Sequence, residues 1–127
     1  RAHPDVDIAK LTISQATQIY RDHYWNPNDC DDLPYWAALC VFDGAVNMGR
    51  GTAVKCLQQI ARVPLDGKIG PVTKRVIRHM EPEDGIADYM SHRMQAYTRM
   101  RGWDRYGRGW TRRCFVVAME AVKHHAG

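Results

Sequence analysis

The sequence predicts an all-α protein folded as a single domain, and three observations predict it. Apolar residues recur at helical rather than alternating spacing, and no strand pattern survives a pass along the chain. The stretch from Leu33 to Gly49 is apolar on nearly every side, as expected of a helix buried at the centre of a domain. Prolines, glycines and capping residues fall where helices would begin and end. A chain of 127 residues fits one domain and can bury roughly two thirds of its unfolded surface, so a core needs no covalent staples.

The central helix is predicted over 34–48, with Asp32 as N-cap, Pro34 in the first turn and Gly49 in a left-handed conformation at the end. Trp36, Cys40, Asp43 and Asn47 follow one another along one line of this helix, so an apolar stripe turns polar near its C-terminus. Burying that carboxylate and amide without partners would cost roughly 1 to 3 kcal/mol each. They therefore belong to a hydrogen-bond network or to a site.

The other elements follow in order. Arg1 to Leu11 reads as an irregular lead-in. Thr12 with Gln15 forms a capping box that opens a helix ending near Trp25, with Ala16, Ile19, Tyr20 and Tyr24 inward. Asn26 to Asp32 is turn-rich. After a turn at Arg50-Gly51, a short helix spans Thr52 to about Ile60, with Ala53, Val54, Leu57, Ile60 and Ala61 as its apolar face. Asp66-Gly67 and Gly70-Pro71 mark the next loop, and Pro71 opens a helix carrying Val72, Val76, Ile77 and Met80. A break at Glu81-Pro82-Glu83 precedes a helix from about Asp84 to Met100, with Ile86, Tyr89, Met90, Met94 and Tyr97 inward. Arg101 to Gly109 reads as a glycine-rich basic loop, and the last helix runs from about Trp110 to His124 over Phe115, Val116, Ala118, Met119 and Val122. The sum is about six helices around 34–48.

The net charge of +4 implies an anionic partner. Seven arginines between Arg93 and Arg113 are interleaved with Tyr97, Trp103, Tyr106 and Trp110, a composition that suits nucleic acid, an acidic sugar polymer of a cell wall, or a plain solvated face. Cys30, Cys40, Cys56 and Cys114 form no Cys-x-x-Cys pair and have no histidine at zinc-ligand spacing, which favours free buried thiols and implies no metal or cofactor. No apolar run reaches membrane-spanning length and no basic start leads into a signal-peptide core. A soluble monomer is expected, and the start at Arg1 suggests a fragment or a processed product.

A nucleophile elbow, a phosphate-cradling glycine loop and a His-Glu-x-x-His helix are all missing from the sequence. Glycoside hydrolysis requires a carboxylic acid with a raised pKa in apolar surroundings. Glu81 and Glu83 flank a proline in an exposed turn, and Glu120 sits where its helix can face water.

Six stretches in register resemble the glycoside hydrolase family 108 proteins, which include phage endolysins and related secretion activators. These are Thr12 to Trp25, Phe42 to Gly49, Leu57-Gln58, Asp66-Gly67-x-Ile69-Gly70-Pro71-x-Thr73, Arg93-x-x-x-Tyr97 and Gly109-Trp110-x-x-Arg113. The resemblance implies a lysozyme-like helical fold, peptidoglycan hydrolysis by an N-acetylmuramidase, and action on periplasmic peptidoglycan. It divides the chain into the remainder of a catalytic region over 1–41 and a peptidoglycan-binding-like region over 42–127, packed as one unit. The Leu-Gln and Asp-Gly-x-Ile-Gly-Pro-x-Thr pieces also resemble repeat-type peptidoglycan-binding modules. The family's catalytic acid lies in a Glu-Gly-Gly-Tyr motif upstream of the Thr12 helix, which this sequence does not contain, so no catalytic residue carries over.

The candidate substrate-binding residues are Trp25, Asp43, Asn47, Gln58, Arg93, Tyr97, Trp110 and Arg113. Each has a structural alternative. Asp43 and Asn47 suit a buried network as well as a cleft floor; Trp25, Trp36 and Trp110 suit the core; Gln58 suits turn geometry. Arg93 and Arg113 can hold stem-peptide carboxylates or pair with Asp84, Asp88 or Asp104. A non-catalytic wall-binding module is the second reading of the chain, and a basic nucleic-acid-binding domain the third.

Overall fold

The computed structural model describes Thr12, Gln15 and residues 33–126. Five helices follow one another: α1 (Tyr35–Met48), α2 (Arg50–Ala61), α3 (Pro71–Arg78), α4 (Pro82–Thr98) and α5 (Trp103–Ala126). There is no strand among the described residues. The predicted capping box holds: Thr12 N–H donates to Gln15 Oε1, and Gln15 N–H donates to Thr12 Oγ1, both at 3.0 Å. The lead-in, the rest of the first predicted helix, Trp25 and Cys30 lie outside the described residues.

Every α1 residue from Trp36 to Met48 is buried, and α2, α4 and α5 pack around it. Pro34, not Asp32, is the N-cap residue; its extended backbone lets its carbonyl accept from Ala37 and Ala38 N–H at 3.0 Å. Gly49 has φ 91° and ψ 150°, a positive φ as predicted but outside the left-handed helical well. It both ends α1, its N–H donating to Ala45, and starts α2, its carbonyl accepting from Ala53 N–H. Two helices thus meet at one residue, and the expected turn at Arg50-Gly51 is already helical.

Two boundaries move for local reasons. Glu81 caps α4 through its side chain, which accepts from Glu83 N–H at 2.9 Å, so the helix begins at Pro82 rather than Asp84. The expected 101–109 loop shrinks to a turn at Gly102, whose carbonyl accepts from Arg105 and Tyr106 N–H, and α5 begins at Trp103. Gly107 lies within this helix, and a Cβ there would lie 2.8 to 3.0 Å from the Trp103 ring. It is a packing glycine.

The inward faces of α2 and α4 are those predicted; on α3 Val76, Ile77 and Met80 face the core as predicted and Val72 does not, and α5 is rotated. Val72 is 52% exposed, while Thr73 and Ile77 point inward. On α5 the inward line is Arg113, Cys114, Val117 and Ala121, leaving Phe115 at 66% and Met119 at 65% exposure. Arg113 takes an inward position because its partner lies on α1.

Gly85 brings α4 against Trp36. A Cβ at that position would lie 2.3 Å from the indole, whose ring is itself buried. Gly85→Ala is expected to lower unfolding stability by about 1 to 3 kcal/mol through overpacking, despite the better helix propensity of alanine. A urea titration that finds the variant as stable as the parent would show that Trp36 can move aside.

Candidate functional site

The polar end of α1 sits under α4 and α5. Arg93 Nη2 donates to Asp43 Oδ2 at 2.6 Å, and Arg113 donates to Oδ1 through Nη2 at 2.7 Å and Nε at 3.0 Å. All three side chains are essentially inaccessible. Arg93 Nε also donates to Tyr97 Oη at 2.6 Å, and Asn47 Nδ2 donates to the same oxygen at 2.5 Å. The Tyr97 hydroxyl is thus the acceptor shared by α1 and α4. Asp43, Asn47, Arg93, Tyr97 and Arg113, five of the eight candidate residues, therefore form one connected network joining three helices. The arginines pair with Asp43 rather than with Asp84, Asp88 or Asp104.

Burial alone would raise the Asp43 pKa, but the two guanidinium groups outweigh it and hold the carboxyl below its ordinary value. Asp43 is thus an anion at neutral pH, able to orient arginines and unable to act as an acid. Desolvation pushes the Cys40 thiol up to about 12 and the Cys56 thiol up to about 11, and it raises that of Cys114 as well. All three are free and buried, as the sequence predicted, and remain neutral core groups at physiological pH.

Gln58 lies elsewhere, on α2, and is also buried. Its Nε2 donates to Asp66 Oδ1 and to the Lys68 carbonyl, both at 2.8 Å, while Oε1 accepts from Gly67 N–H at 3.0 Å. Asp66 Oδ1 also accepts from Lys68 N–H. The Leu-Gln and Asp-Gly pieces thus complete one another as a side-chain staple for the 61–70 loop. The hydrogen bond from Gln58 is the first cause of the lowered Asp66 pKa.

Trp110 is half-buried and stands between this interior and the surface. Its ring centroid lies 5.2 Å from that of Tyr97 inside, and 6.3 and 6.1 Å from those of Trp103 and Tyr106. Trp103, Tyr106 and Trp110 share one helical face at i, i+3, i+7. Tyr106 is exposed, and the Arg105 guanidinium lies 5.6 Å from its ring centroid. A groove of about 790 Å³ along α5, lined by Trp103, Asp104, Gly107, Arg108, Thr111 and Arg112 among others, begins at this corner. Trp103 and Tyr106 were not singled out as site residues, because their helical spacing is hidden where glycines suggest a loop.

These features define a class: a helical domain with a lysozyme-like fold, built on one buried helix. The solved structure of Brucella abortus SagA shares this fold at a TM-score of 0.77 and 34% identity, with 90% of this chain and 66% of that one covered. The chain therefore spans about two thirds of that protein's length. Residues 1–49 match the Glycosyl hydrolase 108 family, to which the chain is similar. None of the curated proteins matches.

Proposed function

We propose that this chain is the scaffold and wall-binding portion of an endolysin-type N-acetylmuramidase, acting as a monomer on periplasmic peptidoglycan. The match of residues 1–49 to a glycosyl hydrolase family carries the reading. In this proposal the general acid belongs to a Glu-Gly-Gly-Tyr segment N-terminal to the chain, and the contribution of residues 1–41 is to complete the catalytic region. The buried network of Asp43, Asn47, Arg93, Tyr97 and Arg113 acts from behind: it fixes the packing of α4 and α5 on α1 and supports Trp110. Glycan contact falls to the aromatic corner, where sugar faces stack on rings and acidic groups of the stem peptides meet Arg105 and Arg108.

The proposal is tested by sedimentation with purified sacculi. The chain should co-sediment, and the double variant Arg105→Ala/Tyr106→Ala should bind about 30-fold more weakly, since one stacking contact and one exposed charge are each worth on the order of 1 kcal/mol. Both residues are exposed, so the fold should not change. Tight DNA binding at physiological salt, with no sedimentation on sacculi, would favour instead the nucleic-acid reading that the arginine and aromatic content leaves open.

A further inference from the structure

The hairpin formed by α2 and α3 carries chemistry that the wall-binding corner does not use. Residues 50–79 contain seven basic side chains and one acidic one, a net charge of +6 in a chain whose total is +4. The acid, Asp66, is engaged by Gln58 and by the Lys68 backbone. Lys55, Arg62, Lys68, Arg75 and Arg78 are all exposed. On α3 the exposed positions Pro71, Val72, Arg75, Arg78 and His79 fall within an arc of about 120°, and the helix rests chiefly on α2, so that arc is open. Two aliphatic side chains stand out among these charges, Leu65 at 48% and Val72 at 52% exposure. Of the residues that make the loop motif, Gln58, Ile69 and Thr73 are buried.

We propose that this hairpin docks on an anionic lipid surface, its lysines and arginines on headgroup phosphates and Leu65 and Val72 at the acyl boundary. The composition selects this occupant. Residues 50–79 contain no Phe, Tyr or Trp, the stacking platforms expected for single-stranded nucleic acid or sugar rings. Exposed aliphatic residues ringed by lysine and arginine are instead the pattern of interfacial membrane binding. No helix among the described residues is long and apolar enough to cross a membrane, so the docking is peripheral. The site is separate from the α5 corner and does not depend on the wall-binding reading.

The test is co-sedimentation of the full chain with vesicles of phosphatidylcholine alone and of equal parts phosphatidylcholine and phosphatidylglycerol. Binding is expected to the anionic vesicles alone, and to fall with added salt. Lys68→Gln/Arg75→Gln/Arg78→Gln should reduce the partition coefficient about 100-fold, each cation near the surface contributing roughly a fivefold factor. Leu65→Ser/Val72→Ser should reduce it about tenfold while leaving circular dichroism and sacculus binding as in the parent. No affinity for anionic vesicles would overturn the proposal. So would vesicle binding that survives the triple substitution, or a triple variant that loses binding to sacculi or DNA while vesicle binding is unchanged.

Discussion

Asp43→Ala is expected to cost about 3 to 5 kcal/mol, because it leaves two arginines buried with no counter-charge. Total stabilities of such domains run to about 5 to 15 kcal/mol, so the variant forfeits a large share of what holds the fold. Urea titration, followed by circular dichroism, gives the measurement. Asp43→Asn should fall between variant and parent, since it keeps the shape and an acceptor oxygen but not the charge. The same residue sets an acid limb. Its folded pKa lies below the unfolded value of 3.8, so the stabilisation is fully present above about pH 4. It is lost as pH falls through the folded value. A loss under about 1 kcal/mol for Asp43→Ala would mean that the pair behaves as a solvated surface bridge, contrary to its burial.

The sequence made the core legible because burial leaves a direct trace in composition. An uninterrupted apolar stretch from Leu33 could only be central, and Asp43 and Asn47 within it required partners. Which partners they find is a long-range matter: Arg93 and Arg113 lie 50 and 70 residues away in sequence, and local spacing favoured nearer aspartates. The error on α5 has the same root. Phe115 and Met119 look like an inward face until Arg113 is known to face Asp43, which turns the helix and sets those two residues outward. Glycine misled in a different way. At Gly107 the missing side chain makes room for Trp103 inside a helix, whereas the sequence presents Gly102, Gly107 and Gly109 alike as loop residues. The candidate site was thus legible as a set of residues. That most of the set points inward follows from the tertiary arrangement alone.

The second large effect concerns catalysis. Cleaving a glycosidic bond near neutral pH needs a carboxylic acid still protonated there, held in an apolar pocket against the leaving oxygen, a contribution of about 10² to 10⁴ in rate. The chain has three glutamates. Glu81 is committed as the cap of α4, Glu83 is exposed beside it, and Glu120 lies half-buried near Tyr35, further along α5 from the aromatic corner. Asp43 is held as an anion between two arginines. The 127 residues alone, folded and helical by circular dichroism, are therefore expected not to clear a suspension of outer-membrane-stripped Gram-negative cells. Joining a Glu-Gly-Gly-Tyr segment ahead of Arg1 should bring clearing, and changing that glutamate to glutamine should remove it at unchanged helicity. Clearing by the chain on its own, abolished by Glu120→Gln, would instead place the general acid on α5 and give this chain the catalytic role that the proposal assigns to a segment before it.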